Sequence, residues 1–155
     1  MNVVILSATQ GMGLAVARRM AERGDTLYLL GRNEKELELV SKDIAARSGK
    51  PIIGYGLCDM ENPAGFSEAL NGAQATLGTI DTVVVTAAVF GTQEQFEQDL
   101  AFTAKLFTVN LTNTILFCEH ARKVMLASGG GTLCVFSSVA GERGRKPVLF
   151  YGSAK

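Results

Sequence analysis

Tyr151 and Lys155, close to the end of the sequence, are the pair of residues whose types and spacing suggest chemistry most directly. On a helix, residues four apart share one face about one turn apart. A neighbouring ammonium favours the phenolate and lowers the pKa of a tyrosine from its ordinary value of about 10. Such a pair would act as a general acid and base near neutral pH. An isolated Tyr-x-x-x-Lys is more often a surface tyrosine beside a surface lysine. The residues upstream must therefore distinguish a catalytic pair from a surface pair.

The composition is that of a globular chain without a charge bias. Of 155 residues, 47% are hydrophobic, and 15 basic residues balance 15 acidic ones. This balance gives no general attraction for nucleic acid or an anionic membrane. The cysteines at 58, 118 and 134 form no Cys-x-x-Cys pair and are odd in number, which argues for reduced thiols and against zinc or a disulfide framework. The apolar run Val3–Leu6 is too short for a signal peptide or a membrane span. We therefore expect a cytoplasmic protein that binds no nucleic acid, no membrane and no metal.

Apolar runs alternate with helical patterns along the chain, and this alternation predicts a parallel α/β sheet. Strands are predicted at 3–6, 26–30, 52–57 (opened by Pro51), 81–88 and 132–136. Helical periodicity marks 14–23, the segments that follow Asn33 and Asn62, and 94–127 with a break near Leu100. In a doubly wound sheet, ligands bind at the carboxyl ends of the strands.

The segment Ser7–Gly13 joins the first predicted strand to the first predicted helix. Gly11 and Gly13 lack a Cβ, so the backbone can approach a pyrophosphate, and the helix N-terminus would offer free amides to it. The position favours a dinucleotide-binding loop over a plain turn. The second strand ends in Gly31-Arg32, where an acidic residue would ordinarily bind the ribose hydroxyls. Arg32 could bind a phosphate instead, which favours NADP(H) over NAD(H); the alternative is a solvated loop arginine.

Two further polar residues stand out. Asn110 interrupts a mostly apolar helical face. A buried amide without partners costs roughly 1–3 kcal/mol, so we expect a specific partner, the alternative being a residue at the edge of the stripe. Ser138 follows the fifth strand at the same carboxyl edge; a capping serine is the alternative, which we prefer for Ser137. His120 has no metal-ligand spacing and is interpreted as structural, and Cys134 is interpreted as a core residue.

The chain resembles the short-chain dehydrogenase/reductase family over essentially its whole length. The family's Thr-Gly-x-x-x-Gly-x-Gly pattern maps onto Leu6-Ser7-Ala8-Thr9-Gln10-Gly11-Met12-Gly13, in which Ser7 replaces the first glycine. The Asp-Val pair after the third strand corresponds to Asp59-Met60, and the Asn-Asn-Ala-Gly motif to Val85-Thr86-Ala87-Ala88, where only Ala87 matches. The family's catalytic asparagine, serine, tyrosine and lysine correspond to Asn110, Ser138, Tyr151 and Lys155.

This resemblance implies an α/β doubly wound, Rossmann-type fold with five strands in the order 3-2-1-4-5. Residues 1–155 would form a single NAD(P)-binding domain that is incomplete at its C-terminus. The implied reaction is hydride transfer between NADP(H) and a small carbonyl or alcohol substrate. The residues implied at the cofactor are Ser7, Thr9, Gln10, Gly11, Met12, Gly13, Arg32, Asp59, Met60, Ala87, Ala88, Tyr151 and Lys155.

The resemblance also implies a role for each catalytic residue. Ser138 would stabilise charge on the substrate oxygen, and Tyr151 would exchange a proton with it. Lys155 would lower the pKa of the tyrosine and hold the nicotinamide ribose. Asn110 would kink its helix and hold a water linked to the lysine.

Departures from the family pattern lead to further expectations. Ser7 and Ala88 carry a Cβ where the family has glycine, and a positive φ at Ser7 would cost about 1 kcal/mol. A helix that ends one turn after Tyr151 would hold poorly alone, which would leave Lys155 at a frayed end. The fifth strand would present an open edge.

Two other functions share features with this sequence. A non-catalytic NADP(H)-binding or redox-sensing module is the main alternative. A sugar-nucleotide epimerase shares the Tyr-x-x-x-Lys pair, but its usual Gly-x-x-Gly-x-x-Gly spacing does not fit Gly11-Met12-Gly13. A homodimer or homotetramer through the long helix is expected from apolar residues in excess of one buried face. These residues are Phe102, Leu106, Phe107, Leu116 and Phe117.

Overall fold

Five short strands form one parallel sheet in the computed structural model, which describes residues 1–49, 52 and 54–155. The strands are β1 Asn2–Leu6, β2 Thr26–Gly31, β3 Gly54–Leu57, β4 Thr82–Val85 and β5 Thr132–Val135. Their order in the sheet is β3-β2-β1-β4-β5, which confirms the predicted topology. β1 is central because Val4 lies between Tyr28 of β2 and Val83 of β4. The carboxyl ends of all five strands therefore meet at one edge of the sheet.

Helices connect the strands, as the pairing of parallel strands requires. They are α1 Gly11–Arg23, α2 Glu34–Ser48, α3 Phe66–Leu77, α4 Gln93–Gln98, α5 Leu100–Phe107, α6 Thr114–Ala127, α7 Val139–Glu142 and α8 Leu149–Ser153. A π-helical turn, Thr108–Asn113, joins α5 to α6, and 3-10 turns at Pro63–Gly65 and Lys146–Val148 precede α3 and α8. The predicted break near Leu100 lies at Asp99, which ends α4 and caps α5 through its side chain.

The hydrophobic core has two layers, one on each face of the sheet. On one face, β1 residues Val3 and Ile5 pack in the cluster that includes Leu37 of α2. On the other face, Val4 packs in the cluster with Phe66 of α3 and Phe117 of α6. Burial on both faces explains why β1 is apolar at nearly every position, as the strands of a parallel sheet are.

The predicted fourth and fifth strands extend too far at the carboxyl edge, whereas β2 runs one residue beyond its predicted end, to Gly31. β4 stops at Val85 and not at Ala88, because the chain leaves the sheet there to line a cavity. β3 begins at Gly54, and the predicted opening at Pro51 lies outside the described residues. Helix α1 begins at Gly11, three residues before the predicted start, so the glycines form its first turn.

The edge strand β5 is exposed along its whole length, as expected of an open edge. Cys134 lies on this strand and is exposed, so its interpretation as a core residue was wrong. The reason is position: β5 pairs with β4 on one side, and in the described residues no strand pairs with its other side. Among the described cysteines, Cys58 alone is fully buried.

The helical stretch Leu100–Ala127 is long and apolar enough to cross a membrane by length and composition alone. Within this stretch Leu106, Phe117 and Ala121 are fully buried against the rest of the chain, and 28% of its apolar window is buried in all. Of the five residues from which an assembly is predicted, Leu106 and Phe117 are buried within the chain and Leu116 is exposed, so the predicted assembly stays a prediction. Exposed apolar side chains do lie on the same stretch, at Leu111, Ile115, Leu116 and Leu126.

Candidate functional site

A cavity of about 520 Å³ lies at the carboxyl edge of the sheet, where the sequence predicts ligand binding. The segments that follow four neighbouring strands line it. Of the residues predicted at the cofactor, it brings together Ser7, Thr9, Gln10, Arg32, Asp59, Met60, Ala87 and Ala88. Gly11, Met12 and Gly13 lie beside it in the first turn of α1 and do not line it.

Ser7 begins the glycine loop in a left-handed conformation, with φ of +66°. It is the non-glycine residue with positive φ in the described chain, and the strain expected at this position is therefore present. The loop is held in place from both sides. Ser7 N–H donates to the Leu30 carbonyl at 2.8 Å, and Thr86 Oγ1 donates to the carbonyls of Leu6 and Ser7 at 2.9 and 3.2 Å.

The first turn of α1 packs very closely against this loop. A Cβ on Gly13 would lie 2.1 Å from the Ser7 carbonyl oxygen and 2.6 Å from Thr86 Oγ1, so only glycine fits. Gln10 precedes the helix with an extended backbone, and no side chain caps the helix N-terminus. The first backbone amides of α1 are therefore available to an anion, which is the arrangement that dinucleotide-binding loops use.

Arg32 lies at the end of β2 and lines the same cavity. It is exposed and forms no ion pair with any described residue. Its neighbour Asn33 caps α2 by accepting hydrogen bonds from Lys35 N–H and Glu36 N–H at 3.1 and 3.3 Å. The Glu36 carboxylate also lines the cavity, so this end of it presents one cation and one anion.

The segment after β3 forms the opposite wall. Cys58 N–H donates to the Gly31 carbonyl at 2.8 Å, and Asp59 Oδ1 accepts from Glu61 N–H at 2.9 Å. Burial, with a smaller contribution from the Asp59 charge, raises the pKa of the Cys58 thiol to about 12. The buried Asn113 donates its Nδ2 to the Met60 carbonyl at 2.7 Å, which ties this wall to the long helix.

Asn110 lies in the π-helical turn and is almost fully buried. Its Oδ1 accepts from Val89 N–H at 2.7 Å, and its Nδ2 donates to the Val89 carbonyl at 2.8 Å. The predicted specific partner of the buried amide is thus the backbone of Val89, in the loop after β4. The departure from α-helical geometry at this turn agrees with the predicted kink.

Ser138 forms the N-cap of α7, and its Oγ accepts from Ala140 N–H at 3.2 Å. From the sequence we prefer Ser137 for the capping role, and this prediction is wrong. Ser138 has the extended backbone of an N-cap residue directly before the helix, whereas Ser137 Oγ donates to the Lys155 carbonyl at 2.8 Å. Since capping uses Ser138 Oγ as an acceptor, the hydroxyl proton stays free to donate elsewhere.

The short helices α7 and α8 pack with their backbones nearly in contact. A Cβ on Gly152 would lie 2.4 Å from the Ala140 carbonyl oxygen, so glycine is required there. Phe150 N–H also donates to Gln93 Oε1 at 3.1 Å, which ties α8 to α4. The helix capped by Ser138 and the helix that carries Tyr151 are thereby held side by side.

Lys155 is the last residue of the sequence given and follows α8, whose last helical residue is Ser153. Ala154 N–H closes the helix on the carbonyls of Phe150 and Tyr151. Lys155 Nζ donates to the Phe136 carbonyl at the end of β5, and burial lowers the pKa of this ammonium. Tyr151 is half-buried, and its ring meets that of Phe90 edge to face, with centroids 5.1 Å apart.

Several site residues had no role assigned from the sequence. Phe90 lines the cavity and contacts Tyr151. Thr86 occupies the second position of the family's Asn-Asn-Ala-Gly motif, and its hydroxyl holds the glycine loop by donating to the Ser7 carbonyl. The sequence did indicate Asn113, as a second polar residue on an apolar helical face, but it did not indicate Met60 as its partner.

His120 packs against Phe66, ring to ring at 6.4 Å, which agrees with a structural role. In the described part of the chain, no group of three or more His, Cys, Asp or Glu side chains could hold a metal ion.

Comparison with known proteins agrees with this geometry. The sequence pattern of the family described as short chain dehydrogenase matches residues 1–155. A 3beta-hydroxysteroid dehydrogenase of Mediterraneibacter gnavus is 32% identical over 156 residues, which cover 99% of this chain and 55% of the relative.

Solved structures have the same fold. A variant of the actinorhodin polyketide ketoreductase with NADPH superposes with a TM-score of 0.88 at 22% identity, covering 98% of this chain and 58% of that one. A Shigella flexneri short chain dehydrogenase complexed with NADP also gives 0.88, at 23% identity, covering 99% and 65%. Among the curated relatives compared, this chain spans 55% to 64% of the length. Because the family pattern extends over every residue from 1 to 155, the chain belongs to the short-chain dehydrogenase/reductase family of oxidoreductases.

Proposed function

We propose that the protein containing this chain is an NADP(H)-dependent oxidoreductase that transfers a hydride between nicotinamide and a carbonyl or alcohol substrate. The observation that supports the proposal is a set of contacts that joins three elements to the loop after β4. This loop lines the cavity through Val89 and Phe90, whereas Ser138, Asn110, Tyr151 and Lys155 do not themselves line it. Helix α7 with its cap Ser138 packs on α8, Tyr151 of α8 contacts the loop after β4, and Asn110 holds that loop at Val89. These are the residues that the family resemblance assigns to catalysis.

Each side chain would contribute a separate function. When bound, the cofactor supplies the hydride. Ser138 would donate its free hydroxyl proton to the substrate oxygen and stabilise the charge that develops there. Tyr151 would give or take the proton on that oxygen. Lys155 would place a positive charge near the phenol and would favour the phenolate.

Replacing the phenol tests the reaction. In the full natural chain, Tyr151→Phe removes the proton donor but keeps the ring that packs on Phe90. Carbonyl reduction should fall at least about a hundredfold, the lower range for general acid–base catalysis, while NADPH affinity changes little. Unchanged turnover in this variant would contradict the assignment of Tyr151.

We further propose a preference for NADP(H) over NAD(H). Support comes from Arg32, which lines the cavity and has no ion-pair partner among the described residues. A charge-assisted bond to a phosphate contributes about 1.5–3 kcal/mol, so Arg32→Ala should weaken NADPH binding roughly 10- to 100-fold and leave NADH binding unchanged. The neighbouring exposed Lys35→Ala serves as a matched control and should leave both affinities unchanged. An equal loss for the two cofactors would refute the preference.

A non-catalytic NADP(H)-binding or redox-sensing module is the second candidate. One observation favours it: Lys155 Nζ already donates a hydrogen bond to the Phe136 carbonyl. For this module, NADPH would bind but no carbonyl would be reduced, with or without Tyr151.

We also propose that the protein assembles as a homodimer or homotetramer and works in the cytoplasm. Apolar side chains exposed on the long helix, Ile115 and Leu116 among them, support the assembly. The free thiols support the compartment. Sedimentation of the full chain should show a dimer or tetramer at micromolar concentration that Ile115→Asp weakens. A monomer throughout would contradict the assembly.

A further inference from the structure

Phe90 is an exposed aromatic side chain beside the proposed catalytic tyrosine. Its side chain is 69% exposed, among the highest values for large apolar residues in the described chain. It lines the cavity together with Val89 and Phe102, and its ring contacts the Tyr151 ring edge to face at 5.1 Å and 81°. Exposed apolar groups inside a concave polar site often mark where a ligand's apolar part binds.

The backbone on both sides of Phe90 is fixed. Before it, Asn110 holds Val89 through both the N–H and the carbonyl. After it, Gly91 passes so close to an aromatic pair that a Cβ would lie 2.7 Å from Phe102 and 2.9 Å from Phe96. These two rings are themselves stacked, with centroids 4.8 Å apart. An exposed ring on so rigid a support is preorganised, and preorganisation lowers the cost of binding.

Phe90 is also close to the proposed proton donor, Tyr151. Tyr151 is the residue that would exchange a proton with the substrate oxygen, and Phe90 touches its ring. A carbonyl positioned at Tyr151 would therefore bring its substituents near the exposed part of the Phe90 ring. Aromatic pairs gain from edge-to-face or offset contact beyond simple burial.

We propose that Phe90 selects the substrate, and that the protein acts on ketones or secondary alcohols that carry an apolar ring next to the reacting carbon. The ring of the substrate packs on Phe90, while its oxygen lies at Tyr151. This inference rests on the proposed carbonyl–alcohol oxidoreductase function. Phe90 is a specificity residue and exchanges no proton.

The test compares two methyl ketones, acetophenone and 2-butanone, which differ in the ring. With the full natural chain and NADPH, the wild type should reduce acetophenone with the higher kcat/KM. Phe90→Ala should cut kcat/KM for acetophenone about tenfold, mainly by raising KM, and change that for 2-butanone little. Phe90→Tyr keeps the ring and should keep the preference, and Leu39→Ala is a control for an exposed apolar residue elsewhere.

Other outcomes overturn the inference. An equal loss for both ketones through kcat would mean that Phe90 only supports Tyr151. A loss of NADPH affinity with unchanged ketone preference would make Phe90 a cofactor contact. If the wild type reduces neither ketone, the result counts against the proposed reaction, and calorimetry of acetophenone with the protein–NADPH complex tests the aromatic site separately. Binding that Phe90→Ala abolishes supports this site, and no binding refutes it.

Discussion

Gly13→Ala is the substitution whose effect follows most directly from the geometry of the glycine loop. The added Cβ would lie 2.1 Å from the Ser7 carbonyl oxygen and 2.6 Å from Thr86 Oγ1. The carbonyl cannot simply move away. Ser7 N–H is bonded to Leu30, its carbonyl accepts from Thr86, and its φ is already +66°.

The loss in free energy of unfolding caused by Gly13→Ala can be estimated. Overpacking at a closely packed position typically costs about 1–3 kcal/mol, and a backbone carbonyl gives way less easily than a side chain, which argues for the upper half. At a few degrees per kcal/mol, the melting temperature should fall by roughly 4–10 °C. Because the displaced loop also lines the cavity, NADPH affinity should fall more than tenfold.

Thermal denaturation and cofactor titration of the full natural chain measure both effects. Gly65→Ala is the matched control: the backbone there has φ of −82°, and a Cβ would meet nothing within 4 Å. This control should leave stability within about 0.5 kcal/mol of wild type and cofactor affinity unchanged. A Gly13→Ala protein as stable as the control, with normal NADPH affinity, would refute the close packing of α1 on the loop.

Three other measurements probe the site. Ser7→Gly should raise the free energy of unfolding by up to about 1 kcal/mol in chemical denaturation, because glycine accepts the positive φ, and a loss would show that the Ser7 side chain matters more than its strain. Asn110→Leu should destabilise the protein by about 2 kcal/mol or more, since it leaves the Val89 N–H and carbonyl without their partner; stability within 0.5 kcal/mol of wild type would contradict that bond pair. Cys58 should resist alkylation at pH 7–8 and gain reactivity only well above it, because its thiol is buried with a pKa of about 12; mass spectrometry that finds rapid labelling at neutral pH would contradict its burial.

The sheet could be predicted from the sequence because its physics is local. Apolar β-branched runs such as Val3–Leu6 form strands buried on both faces, and the alternation of strand and helix leaves few topologies. The glycine loop and Arg32 could be placed at the carboxyl edge for the same reason. Each follows a strand directly, and all parallel strands end at one edge.

What could not be predicted depends on contacts between distant residues. The exposure of Cys134 follows from the edge position of β5 and not from its own neighbours in sequence. The capping serine was misplaced by one residue, since Ser137 and Ser138 are equally good caps until the backbone angles are known. Phe90 gave no signal, because its role depends on a ring 61 residues further along the chain.

Transfer of isotope from the cofactor tests the central claim most directly. The full natural chain would be incubated with NADPH deuterated on the nicotinamide ring and with a panel of aryl and aliphatic ketones, and the alcohols analysed by mass spectrometry. We expect the wild type to form an alcohol with deuterium on the carbinol carbon, and we expect Tyr151→Phe to lose the formation of this deuterated alcohol. NADPH binding without any deuterated alcohol would contradict the oxidoreductase proposal and favour the non-catalytic cofactor-binding module.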